Sequence, residues 1–147
     1  MRLVLDETVL VEFIGEPHES CACRDRLNAL QITGAAELWT TVFAYERLLD
    51  RVGRDVPAHA ARGALLSMAD FVNICSFDEG DMLDVLRSDK SFPLSASVIC
   101  LEKLKADRLV TRDLDAIALA PGIACTPEGF FDDLERERGI VFELVDL

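Results

Sequence analysis

The chain opens with an apolar run at residues 2–5, Arg-Leu-Val-Leu, that halts on Asp6 and Glu7 and then resumes. Such a run predicts a buried strand, and Thr8 to Ile14 begins a short helix closed by Gly15 and Pro17. A second helix is expected from Glu19 to Leu30. Residues Glu37 to Thr41 read as a strand that passes directly into a helix. There Val42, Tyr45, Leu48, Leu49 and Val52 follow the three-and-four spacing of one helical face, with Glu46 beside the stripe and Gly53 as the stop. Pro57 suits a first helical turn, so the Ala-rich segment to Met68 is predicted as helix and Phe71 to Ser76 as strand. Asp78 is placed to cap a helix running through Leu86.

The last third repeats the alternation. A helix is expected from Leu94 to Lys105, a strand over Arg108 to Thr111, a short turn or helix from Asp113 to Leu119, and a strand over Ile123 to Cys125. Pro127 then starts a helix whose apolar side is Phe130, Phe131 and Leu134, and Gly139 separates it from a closing strand, Ile140 to Val145. Strands alternating with helices imply an α/β fold with a mostly parallel sheet covered on both faces. No Pro-, Gly- or Ser-rich linker and no repeat divides residues 1–147, so one domain is expected. In such sheets functional groups collect beyond the carboxyl ends of the strands. Asp6 and Asp113 each follow a strand, which lets the two share a crevice.

Composition narrows the function classes. Half of the 147 residues are apolar, enough for a core without disulfides. The five cysteines are odd in number and fall mostly in apolar segments, as reduced core thiols do. The Cys21-Ala22-Cys23 pair lacks further Cys or His at zinc-ligand spacing. No stretch approaches a membrane span or a secretory signal, so a soluble, cytoplasmic protein is expected. Fifteen Lys and Arg stand against 27 Asp and Glu, a formal net charge of −12. That balance repels a polyanion unless basic residues are grouped, and it favours divalent cations and basic proteins.

Several stretches carry a resemblance. "LVLDETVLVEF" is similar to the opening strand of the PIN domains, which include the VapC-type toxins of bacterial and archaeal toxin–antitoxin pairs. "LWTTVFAYERLLD" resembles the second strand and the helix that brings an inward Glu, here Glu46. The stretch from Phe92 to Phe131 is similar to the C-terminal half, with Thr111-Arg112-Asp113 and "TPEGF" in place. The resemblance spans nearly the whole chain and implies a PIN-like three-layer sandwich. It also implies a metal-dependent endoribonuclease in which Asp6, Glu46 and Asp113 hold Mg2+ or Mn2+ near the scissile phosphate. Thr8 and Thr111 would hydrogen-bond the carboxylates or metal waters behind them. Arg112, Arg108 and Lys103 are the candidate phosphate contacts.

One position departs from the pattern. Where the family starts a helix with Asp, this chain has Ser95. A hydroxyl is a neutral, feeble ligand, so the remaining acids are expected to hold one ion more readily than two. Asp115, two residues past Asp113, is the candidate compensating ligand. The substitution and the acidic surface also fit a noncatalytic binding or regulatory member of the same fold. Phosphoryl-group chemistry on a strand-end aspartate is disfavoured because Thr8 occupies the place of the second acid, and no Gly-x-Gly-x-x-Gly follows a strand as a dinucleotide enzyme requires. A toxin-like role implies RNA as substrate and a small basic antitoxin-like protein as partner, whose Arg could enter among the carboxylates. Homodimerisation, frequent in the family, is a further expectation.

Overall fold

A computed structural model describes residues 1–14 and 21–139. The described residues form five strands, β1 (Arg2–Leu5), β2 (Glu37–Thr41), β3 (Val72–Cys75), β4 (Arg108–Val110) and β5 (Ala124–Cys125). They form a sheet in the order β3-β2-β1-β4-β5, and every pairing is parallel. β1 is therefore central, which is why its three apolar residues Leu3, Val4 and Leu5 are all fully buried. Side chains alternate across a pleated strand. Accordingly Leu3 and Leu5 join one apolar cluster and Val4 joins another on the opposite face.

The helices are α1 (Glu7–Leu10), α2 (Cys21–Ile32), α3 (Val42–Val52), α4 (Ala58–Met68), α5 (Glu79–Arg87), α6 (Phe92–Leu104), α7 (Leu114–Leu119) and α8 (Pro127–Arg138). One face of the sheet is covered by Leu27 and Leu30 of α2, Leu48 of α3, Leu65 and Met68 of α4, and Phe130, Phe131 and Leu134 of α8. The other face is covered by Leu94, Cys100 and Leu101 of α6 and Ala116 of α7. The layers are thus helix, sheet, helix, as the sequence pattern implied. Among the described residues no helix is long and apolar enough to cross a membrane. Cys23, Cys75, Cys100 and Cys125 are free thiols.

Several junctions are decided locally. Thr41 ends β2 and caps α3 by accepting from the Ala44 N–H at 3.1 Å, so strand passes into helix without a loop. Asp78 and Asp81 form a reciprocal capping box that starts α5. The segment after Asp6 is tighter than expected: α1 is one turn, followed by a 3-10 turn at Val11–Phe13. α6 begins at Phe92 rather than Leu94, because Ser91 caps it and Pro93 occupies its first turn. The expected strand at 140–145, like Gly15, Pro17 and Glu19, lies outside the described residues.

Candidate functional site

Because β1 and β4 are neighbours, with Leu5 in register with Val110, the residues that follow them emerge side by side. Asp6 caps α1 and accepts from the Thr8 N–H at 3.0 Å and the Thr8 hydroxyl at 2.5 Å. Its second carboxylate oxygen accepts from the hydroxyl of Thr111. Thr111 is fully buried, and its hydroxyl also accepts from the Asp113 N–H at 3.0 Å. A continuous chain of hydrogen bonds thus joins Asp6 through Thr111 to Asp113. Burial pushes the Asp6 carboxyl above its ordinary range, against the opposing pull of the Thr111 and Thr8 hydrogen bonds.

Asp113 spends its own carboxylate on the start of α7, accepting from the Asp115 N–H at 3.0 Å and the Ala116 N–H at 3.4 Å. Asp113 and Asp115 are exposed and line a cleft of about 510 Å³ together with Ser91, the cap of α6, Leu94 of α6 and Leu119 of α7. Asp113 thus stands at a crevice beyond the carboxyl end of β4, whereas Asp6 is not among the residues lining it and reaches Asp113 only through the Thr111 hydrogen bonds. Glu46 lies on α3, exposed, and has no hydrogen bond or ion pair among the described residues. Glu7 turns to α3 and pairs with Arg47 at 3.2 Å and Arg51 at 3.7 Å.

Ser95 is buried in the first turns of α6. Its hydroxyl donates to Ser88 at 2.9 Å and to the Lys90 carbonyl at 3.4 Å. It is committed to the α5–α6 connection and adds no charge to the crevice. Asp6, Asp113 and Ser95, which the PIN resemblance would offer a cation, are committed to other partners. Asp6 is occupied by two threonines, Asp113 by its own helix and Ser95 by Ser88. Among the described residues, no three His, Cys, Asp or Glu side chains converge closely enough to hold a metal ion. The side chains as they stand do not make a cation cage.

The candidate phosphate contacts are also committed. Arg112 lies between two carboxylates: it bonds both oxygens of Glu12, and reaches Glu128 at 2.9 and 3.0 Å. Paired so, its guanidinium is held more firmly protonated than usual, while Glu128 is held below the ordinary carboxylate range by Arg112. The Arg112 N–H donates to the Thr8 hydroxyl at 2.8 Å, which couples this clasp to Asp6. Lys103 pairs with Asp81 at 2.7 Å and donates to the Ser76 carbonyl at 2.7 Å. Arg108 starts β4 in register with Leu3, at the far end of the sheet from Asp6.

The Glu12–Arg112–Glu128 clasp was not anticipated from sequence. Cys23 extends it, with its sulfur 3.4 Å from Glu128, and burial followed by the Glu128 charge pushes that thiol up to about 11. These residues come from four distant segments with no spacing that links them.

Two solved structures share this arrangement of elements. The 2.2 Å structure of VapBC-1 from nontypeable Haemophilus influenzae matches 87% of this chain and 99% of its own, at TM-score 0.61 and 14% identity. The crystal structure of VapC20 from Mycobacterium tuberculosis, a Sarcin-Ricin loop cleaving toxin, matches 80% of this chain and 95% of its own, at TM-score 0.63 and 15% identity. The chain has a VapC-type PIN-like fold. No family model and no curated protein sequence matches it. At these identities the PIN-like likeness concerns the backbone, and what the crevice does rests on this chain's own residues.

Proposed function

We propose that this chain uses its PIN-like fold to hold a protein partner over the acidic crevice, and that it is a noncatalytic member of that fold. The observation that carries this reading is Ser95. Its hydroxyl is neutral, buried and spent on Ser88 and the Lys90 carbonyl, so the crevice lacks a charge that cation-dependent hydrolysis would draw on. The basic groups nearby point the same way. Arg112 is saturated by Glu12 and Glu128, and Lys103 by Asp81, which leaves RNA phosphates little to bind.

A basic, partly apolar protein segment fits better. Leu114 and Leu119 of α7 are 73% and 62% exposed; Leu114 lies between the exposed carboxylates Asp113 and Asp115 in sequence, and Leu119 follows one turn later. Apolar side chains would cover the leucines, and Lys or Arg would meet the aspartates; a small antitoxin-like protein has that chemistry. The net charge of −12 favours such an encounter at long range.

A second reading is a Mg2+- or Mn2+-dependent endoribonuclease, the toxin of a toxin–antitoxin pair. It is supported by the hydrogen-bond chain from Asp6 through Thr111 to Asp113 at the ends of β1 and β4, with Glu46 on α3, the helix after β2. Calorimetric titration with Mn2+ of the native chain and of Asp6→Asn, followed by RNA-cleavage assays of the native chain and of Ser95→Asp, separates the two. The first reading expects no native cleavage, with activity arising only in Ser95→Asp if at all. Native cleavage that a chelator abolishes, together with Mn2+ binding lost in Asp6→Asn, establishes the second.

A further inference from the structure

We propose that Cys75 and Cys100 form a reversible redox pair, a modification site at which a hydroperoxide closes a disulfide between strand β3 and helix α6. Neither residue lines the crevice, so the pair is independent of what happens there.

The fold brings the two thiols together across one packed layer. Side chains alternate along a strand, so Val72 and Cys75, three apart on β3, enter opposite faces of the sheet. Cys75 therefore joins the apolar cluster that α6 covers, and Cys100 joins it from the middle of α6. The two thiols are hydrogen-bonded to one another. Burial first, and then that bond, push the Cys100 thiol well above its ordinary range. The Ser76 carbonyl marks the same spot. It accepts from the Cys75 thiol at 3.6 Å and from the Lys103 ammonium at 2.7 Å, and Lys103 lies one helical turn beyond Cys100.

Neighbouring charge sets this pair apart from Cys23. That thiol faces the Glu128 carboxylate at 3.4 Å, and a negative neighbour opposes the thiolate that reacts. The Lys103 ammonium does the reverse: it favours an anion on Cys100, and Asp81 holds it in place at 2.7 Å. Burial slows entry without sealing the site. β3 is the outermost strand on its side of the sheet, and the residues flanking Cys75, Ile74 and Ser76, are exposed. A molecule as small as a hydroperoxide needs only a local opening of that edge.

Cys75, 5% exposed against 2% for Cys100, is oxidised first. Its thiolate attacks one peroxide oxygen, the O–O bond breaks, and the departing hydroxide takes up a proton as water, leaving a sulfenic acid on Cys75. The Cys100 sulfur then attacks the Cys75 sulfur, the S–O bond breaks, and a second water leaves with the Cys100 proton. Together the sulfurs lose two electrons and the peroxide gains them. A dithiol reductant reverses the closure by exchange. The closed ring contains α5 and the α5–α6 connection, so the cross-link fastens that part of the fold to the sheet edge.

The test treats the folded full chain with hydrogen peroxide, blocks the remaining thiols and maps the digest by mass spectrometry. The expected product has lost two hydrogens, links the peptides of Cys75 and Cys100, and returns to the dithiol with dithiothreitol. It should melt several degrees above the reduced chain. Cys100→Ala should stop at the sulfenic acid, which dimedone labels on Cys75, and Cys75→Ala should give no label on Cys100. Circular dichroism checks that both variants fold, and the map of the native chain decides the matter without them. Absence of the cross-link, its formation only after denaturation, or a disulfide joining other cysteines overturns the proposal. So does an oxidised form that melts below the reduced one, since the layers would then have to part for the sulfurs to join.

Discussion

Thr111 donates its hydroxyl hydrogen to the carboxylate of Asp6, a residue 105 positions earlier in the chain. The bond ties the end of β4 to the end of β1. Thr111→Val keeps the shape of the side chain and removes the donor. One oxygen of a largely buried carboxylate then loses its partner, and the expected cost is about 1–3 kcal/mol in urea unfolding at neutral pH. An unchanged midpoint would mean that the bond contributes nothing net to the fold.

Asp6 itself should leave a signature in the pH dependence of stability. Its folded carboxyl is shifted up from the ordinary 3.8 by burial. The folded state therefore holds this proton more tightly than the unfolded chain does. Stability from that proton is fully present below 3.8 and is lost as the pH rises through the folded value. Asp6→Asn carries no such proton. The difference in unfolding free energy, native minus Asp6→Asn, is expected to fall with rising pH across that window and then to level off.

The Arg112 clasp predicts the opposite slope. Glu128 is held below its ordinary 4.5 by Arg112, so the stability it contributes is present above that value and lost as the pH falls through the folded one. Arg112→Met should cost about 1–3 kcal/mol at neutral pH, chiefly through Glu12, because the more exposed Glu128 is better solvated once abandoned. Denaturation of both proteins across the acid range should show the native chain losing more stability than the variant on acidification.

Ser95 offers a graded test. Ser95→Ala removes one hydroxyl that donates to Ser88, at a cost of about 0.5–1.5 kcal/mol. Ser95→Asp puts a carboxylate against the Lys90 carbonyl in a buried position. It should be less stable than Ser95→Ala at neutral pH, with the gap narrowing in acid as the carboxyl takes up a proton. Thermal melts with and without Mn2+ check the alternative. Restoration of stability by the cation would show the new side chain turned into the crevice.

Much of the fold was legible because its signals are local. The β2–α3 junction falls where expected, since the apolar stripe from Val42 to Val52 and the capping hydroxyl of Thr41 sit within a few residues of one another. Asp78 was readable as a cap for the same reason. That Asp6 and Asp113 emerge on the same side of the sheet was legible because a parallel sheet sends strand ends to a common edge, although only Asp113 lines the cleft there. Thr8 and Thr111 were anticipated as carboxylate partners, and both bond Asp6. The Arg112 clasp was not visible, because residues 12, 112 and 128 meet only through the packing of α8 and the turn after α1. The direction of the Ser95 hydroxyl was hidden likewise, since it depends on how the chain turns between α5 and α6.

The placement of β1 bears on how the protein is made. Among the five described strands it is the earliest in the chain, yet it sits between β2 and β4, and β4 is translated about a hundred residues later. A nascent polypeptide must keep Leu3, Val4 and Leu5 from straying until that late neighbour emerges. Closure therefore waits on distant pairings, the slow kind. Shortened products that stop before Arg108 would present one open flank of their most apolar segment to other polypeptides, and so would be substrates for chaperones rather than small working copies of the molecule.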